Sequence, residues 1–166
     1  PAKFFLVAAA NPCPCGFFGD ADIECKCSPT QIHKYRAKLS GPILDRLDLH
    51  VEVPRVKYPD LARSTAGEAS SAIRKRVIAA RELQTARYAQ EAVPCNGYLY
   101  GKLTEQYCRT SPEAKEFMLR VFDKLDLSMR GFNKVLKVAR TIADLAHEEI
   151  ISENHIAEAL QLRFSW

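Results

Sequence analysis

The sequence predicts a mainly α-helical chain with a small α/β remnant at its start. Three observations carry this reading. An apolar run, Phe4-Phe5-Leu6-Val7-Ala8-Ala9-Ala10, reads as a fully buried strand and ends at Asn11-Pro12. One further stretch, Leu49-His50-Val51-Glu52-Val53, alternates like a strand and stops at Pro54. From Glu68 onward the apolar residues recur at helical spacing behind recognisable capping residues.

In chain order, residues 1–12 read as strand and turn, and residues 13–28 as a Gly- and Cys-rich loop. Residues 29–39 read as a short helix, with Ser28 as N-cap and Pro29 at the first helical position. A helix over Glu68 to Gln90 carries Ile73, Val77, Ala80 and Leu83 on one face, with Arg74, Lys75, Arg76, Arg81 and Arg87 around the rest. Ser111-Pro112-Glu113 opens a helix to about Lys124. Ser128 caps another to about Ala146, whose stripe is Phe132, Val135, Leu136, Ala139, Ile142 and Ala143. Ser152 opens the last helix, with Ile156, Leu160 and Phe164 facing inward. The boundary falls near Tyr58 to Gly67. It divides the chain into residues 1–58, with a cysteine-rich loop at 13–27, and a helical part at 59–166.

Composition narrows the class. The chain has 166 residues, 47% of them hydrophobic, enough to pack a core. Its net charge of +4 is compatible with nucleic acid without requiring it. No segment approaches the roughly 18 apolar residues of a membrane span, so no membrane partner is expected. No basic-then-apolar leader opens the chain, and six cysteines without one point to a reducing, cytoplasmic setting. There, clustered cysteines bind metal more often than they form disulfides. A continuous apolar strand needs neighbours on both edges, so the chain reads as a piece of a longer protein.

Two cysteine couplets, Cys13-Pro14-Cys15 and Cys25-Lys26-Cys27, stand directly behind Asn11-Pro12. Four thiols this close suit one tetrahedral zinc ion. Gly16 and Gly19 make the intervening loop pliable, and His33 is a possible substitute ligand. Reduced thiols, disulfides and a redox role are the competing readings. Cys95 and Cys108 lack paired spacing and read as small, partly buried residues. The Arg74-Lys75-Arg76 run reads as a solvated helix face, with DNA contact as its rival.

Three stretches together resemble a known family: Val7-Ala8-Ala9-Ala10-Asn11-Pro12-Cys13-Pro14-Cys15-Gly16; Lys38-Leu39-Ser40-Gly41-Pro42-Ile43-Leu44-Asp45-Arg46-Leu47-Asp48-Leu49; and Leu127-Ser128-Met129-Arg130-Gly131-Phe132 followed by Lys137-Val138-Ala139-Arg140-Thr141-Ile142-Ala143-Asp144-Leu145. They are similar to the C-terminal part of a magnesium-chelatase-related AAA+ ATPase of the ComM/YifB type. The resemblance implies the C-terminal piece of an AAA+ core plus a helical lid domain. It implies a parent that is a homo-hexameric, ATP- and magnesium-dependent DNA helicase promoting branch migration in recombination and transformation. A chelatase-type motor acting on a protein partner is the nearest alternative; a zinc-ribbon module binding nucleic acid is the alternative of another class.

The resemblance also implies residue roles. Asn11 matches sensor 1, where an amide contacts the γ-phosphate and orients water; otherwise it is a turn residue before proline. Arg46 matches the arginine finger; its rival is pairing with Asp45 or Asp48. Arg130 matches sensor 2, in the first turn after Ser128; its rival is a solvated arginine at a helix start. Whether Arg130 reads its own subunit's nucleotide or a neighbour's is left open. The chain holds no G-x-x-x-x-G-K-[ST] loop and no Asp-Glu pair ending an apolar strand. It is therefore expected to hydrolyse no ATP alone. The family's sheet order puts the phosphate-loop strand between Phe4–Ala10 and Leu49–Val53. With that strand missing, the first third is expected to be partly disordered, rearranged or paired with another copy.

Overall fold

The computed structural model describes residues 4–38, 41–56, 67–125 and 127–163. It is mainly helical: α1 (Pro29–Arg36), α2 (Gly41–Leu44), α3 (Ser70–Arg87), α4 (Lys102–Tyr107), α5 (Pro112–Lys124), α6 (Met129–Leu145) and α7 (Glu153–Gln161), with a 3₁₀ turn at Asn96–Tyr98. The chain forms two compact units, residues 1–46 with 53–57, and residues 47–52 with 58–166. Phe164, Leu39-Ser40 and all of the expected Tyr58 to Gly67 boundary except Gly67 lie outside the described residues. No helix among the described residues is long and apolar enough to cross a membrane.

Neither expected strand forms. Phe4–Ala10 is unpaired, with Phe4 76%, Phe5 91%, Leu6 59% and Val7 77% exposed. Leu49–Val53 is also irregular, with Leu49, Val51 and Val53 exposed. A strand's N–H and C=O groups need a neighbouring ladder. Among the described residues the one strand-like pairing is an isolated parallel bridge between Thr110 and Ile151. The apolar pattern of both stretches is therefore present without the partner that would bury it.

The helix starts follow their caps. The Ser28 hydroxyl accepts the Gln31 amide, and the Gln31 side chain accepts the Ser28 amide, a complete capping box. Ser111 accepts from the Ala114 amide at 3.2 Å, and Ser128 from the Gly131 amide at 3.0 Å. At Ser152 the backbone N–H donates to His155 Nδ1 at 3.1 Å.

Helix α6 is the centre of the helical unit and packs against α3, α4 and α7. Val135, Ala139 and Ala143 of its stripe are fully buried, and Phe132, Leu136 and Ile142 pack beside them. Met118 from α5 and Ile156, Ala159 and Leu160 from α7 complete the core with Ile151. Helix α3 departs from expectation. Its buried residues are Ala80 and Gln84, while Ile73, Val77 and Leu83 are exposed. The helix meets its neighbours through its C-terminal half, around Arg87 and Tyr88, so the N-terminal part of the stripe stays in solvent.

A buried polar cluster ties α3, the 3₁₀ turn and α6 together. Arg140 is 1% exposed and Asp144 is fully buried. Arg140 Nε donates to Asp144 Oδ1 at 3.1 Å, and the two Nη groups donate to the carbonyls of Glu148 and Glu149. Asn96 Nδ2 donates to Asp144 Oδ2 at 2.8 Å and to Thr141 Oγ1 at 2.9 Å; its own amide oxygen accepts the Tyr88 hydroxyl at 2.6 Å. No buried side-chain polar atom among the described residues lacks a partner. That completeness is what makes such burial tolerable.

Candidate functional site

The four cysteines of the two couplets converge. Their Sγ atoms all lie within 4.8 Å of one another. Cys13 and Cys15 are 3.4 Å apart, Cys13 and Cys25 3.7 Å, and Cys15 and Cys25 3.6 Å. Four sulfurs at about 2.3 Å from one ion form a tetrahedron with edges of about 3.8 Å. The cluster is near that size. The separations are far too long for S–S bonds, which span about 2.05 Å, and all six cysteines are free. His33 is exposed on α1 and is not part of the group.

The loop folds back for local reasons. Gly16 and Gly19 take φ of +85° and +84°, the left-handed region that L side chains avoid. The Gly16 amide donates to the Cys13 carbonyl at 3.0 Å. The Asp20 carboxylate accepts the amides of Asp22 and Ile23 at 2.8 and 2.9 Å, an Asx turn that starts the return leg. From α1, the Arg36 guanidinium lies 4.7 Å over the Phe18 ring and Nε donates to the Pro12 carbonyl at 3.3 Å. Cys13 is fully buried.

The thiols do not titrate alike. The Phe17 backbone N–H, with help from neighbouring thiols, lowers Cys15 to about 6. The Cys27 backbone N–H pulls Cys25 down, but burial and side-chain hydrogen bonds with Cys15, Cys13 and Cys27 outweigh it and push Cys25 up to about 12. Four sulfurs converging within 4.8 Å of one another are a donor set that fits a soft, thiophilic divalent metal.

Asn11 is exposed at the base of this loop, its side-chain amide 3.9 Å from where a Cβ on Gly16 would stand. Arg46 is exposed just past α2, its amide donating to the Ile43 carbonyl at 2.9 Å. Arg130 is exposed in the first turn of α6, next to the Ser128 cap. The fold thus brings the four cysteines together beside Asn11 in one unit, and places Arg130 in the other. The Arg74-Lys75-Arg76 run is exposed, with Arg76 paired to Glu68.

Sequence reasoning missed the Arg140–Asp144 cluster and the residue Arg163. Arg140 and Asp144 are four apart on α6, a spacing that alone signals a pair.

The family described as magnesium chelatase, subunit ChlI C-terminal, matches residues 67–163, and that described as magnesium chelatase, subunit ChlI, matches residues 1–61. Among curated relatives, the competence protein ComM of Haemophilus influenzae is 42% identical over 98% of this chain and 31% of its own length. The uncharacterized protein YifB of Escherichia coli is 38% identical over 98% of this chain and 31% of its own. The uncharacterized protein Mb2921c of Mycobacterium bovis is 37% identical over 98% of this chain and 32% of its own. The chain thus spans about a third of the length of the curated relatives it matches. The match across nearly the whole chain shows that it belongs to the magnesium chelatase subunit ChlI family, as a ComM/YifB-type member.

Proposed function

We propose that this chain is the sensor, finger and lid portion of an ATP-driven AAA+ motor, whose full-length form binds ATP and magnesium and works as a homo-hexamer on DNA. Residues 1–58 are the remnant of the ATPase core and residues 59–166 the lid. The observation that carries the reading is the state of the three motif residues. Asn11 stands exposed beside the cysteine loop, Arg46 exposed just past α2 and Arg130 exposed in the first turn of α6, whereas Arg140 is buried in the core. Exposed groups of this kind suit contact with a bound phosphate. Asn11 orients water at the γ-phosphate, Arg46 neutralises charge in a neighbour's site, and Arg130 reads the nucleotide from the lid.

The four cysteines hold one zinc ion in a structural role. All four sulfurs serve as ligands, so no open coordination position is left for chemistry. The metal fixes the loop immediately behind Asn11.

DNA is favoured as the substrate because the Haemophilus relative is named a competence protein. The magnesium chelatase descriptions support the second reading, a motor acting on a protein partner. ATP hydrolysis by the full-length protein decides between them. Branched DNA is expected to stimulate it more than duplex DNA; indifference to all DNA would leave the protein-directed motor.

A further inference from the structure

Residues 47–52 belong to the same unit as the helices α3 to α7. They form a strap gripped at several points. The His50 amide donates to the Leu162 carbonyl at 2.5 Å, and His50 Nδ1 donates to the Arg163 carbonyl at 2.7 Å. Arg163 Nη1 donates to the Leu47 carbonyl at 3.2 Å, and Lys134 on α6 reaches Asp48 Oδ1 at 2.7 Å. Arg163 is therefore held to the strap by both its backbone and its side chain. It is 7% exposed.

The same guanidinium lies beside the start of α6. A Cβ added at Gly131 would stand 3.4 Å from Nη2, at the near edge of ordinary van der Waals contact. Leu47 directly follows Arg46, and Gly131 directly follows Arg130. One planar group thus bonds the Leu47 carbonyl and lies beside Gly131, each one residue beyond a candidate nucleotide-facing arginine. Lysine has a single ammonium head and cannot span two places in this way.

We propose that Arg163 is a positioning residue that ties the arginine-finger segment to the sensor-2 end of α6. A displacement of the α6 start on nucleotide change is passed through the guanidinium to the Leu47 carbonyl, and so to Arg46. This rests on the reading of Arg46 and Arg130 given above.

The test uses the full-length protein with Arg163→Met, Arg163→Lys and His50→Ala, beside Arg46→Ala and Arg130→Ala. Amide hydrogen exchange reads the tie directly. The His50 amide is expected to exchange at least about tenfold faster in Arg163→Met, while the Ala139 and Ala143 amides stay slow. The kcat for ATP is expected to fall about tenfold with KM nearly unchanged. Arg163→Lys should not restore it, and Arg46→Ala combined with Arg163→Met should be no slower than Arg46→Ala alone. His50→Ala loosens the strap from outside the helical core, so it gives the same direction if Arg163→Met fails to fold. Unchanged His50 exchange, wild-type kcat in both Arg163→Met and His50→Ala, or a double mutant slowed by the product of the single effects overturns the proposal. Full hydrolysis in Arg46→Ala and Arg130→Ala overturns the underlying reading and the positioning role with it; His50 exchange separates that result from a missing tie.

Discussion

Arg87 and Asp144, 57 residues apart in sequence, meet in a two-pronged ion pair inside the helical unit, with Arg87 Nη1 3.0 Å from Asp144 Oδ2 and Nη2 on Oδ1. The Asp144 hydrogen bond is the chief cause holding the Arg87 guanidinium above its usual range. Asp144 is also the acceptor for Arg140 and Asn96. One carboxylate therefore serves three donors from α3, the 3₁₀ turn and α6.

Removing that carboxylate leaves two guanidinium groups and an amide without their acceptor. Asp144→Ala is expected to cost about 3–5 kcal/mol, lowering the melting temperature by roughly 10–20 °C. Calorimetry on the folded protein checks this. A loss under about 1 kcal/mol would mean that the cluster is not the helical unit's main polar tie.

His147 ends α6 with φ +58°, a left-handed conformation unfavourable for a side chain. The His147 amide donates to the Asp144 carbonyl at 3.1 Å, and the Glu148 amide to the Ala143 carbonyl at 2.8 Å. This is the Schellman pattern, in which glycine is the usual residue. It also turns the Glu148 and Glu149 carbonyls towards Arg140. His147→Gly is therefore expected to stabilise the protein by about 1 kcal/mol. A chemical denaturation midpoint that stays put or falls would count against the strain.

Cys108 is buried in the helical core, and burial pushes its thiol up to about 11 from an ordinary 9.0. A folded-state value above the unfolded one means stability that is whole below about pH 9 and is lost as pH rises to about 11. Tyr88, whose hydroxyl burial also raises, adds to the loss at the alkaline end. Thermal melts from pH 8 to 11 should fall in that window, and Cys108→Ala should flatten the slope. In the native protein at pH 8 a thiol reagent should label Cys108 last. Rapid labelling there would contradict its burial.

The four-cysteine cluster carries a prediction independent of hydrolysis. Purified protein should carry on the order of one zinc per chain. Cobalt substitution should give the visible bands of tetrahedral thiolate coordination. Cys25→Ser should lose the ion and open residues 13–27 to proteolysis. Acid should release it as protons compete for the sulfurs. Metal-free protein with a protease-resistant loop would remove zinc from the account.

What was legible in the sequence follows a physical division. Ser28, Ser111, Ser128 and Ser152 were readable as helix starts because a cap bonds residues only three positions away. The cysteine couplets were readable because two Gly residues and short spacing make their convergence local. The Phe4–Ala10 run read as a strand because its apolar pattern is right, but a strand also requires a distant partner that the pattern cannot supply. Arg163 was invisible for the same reason. Its role depends on Leu47 and His50, more than 110 positions away. Arg140 and Asp144 are four apart on α6, but their burial depends on Arg87 of α3 and Asn96 of the 3₁₀ turn, far away in sequence.

The central claim is that Asn11, Arg46 and Arg130 act on ATP. The most direct measurement is steady-state hydrolysis by full-length protein carrying Asn11→Ala, Arg46→Ala or Arg130→Ala, with oligomerisation checked by sedimentation. The account predicts assembled protein in each case, with kcat lowered about a thousandfold by Arg46→Ala and strongly by the other two. Wild-type kcat in all three assembled variants would contradict it.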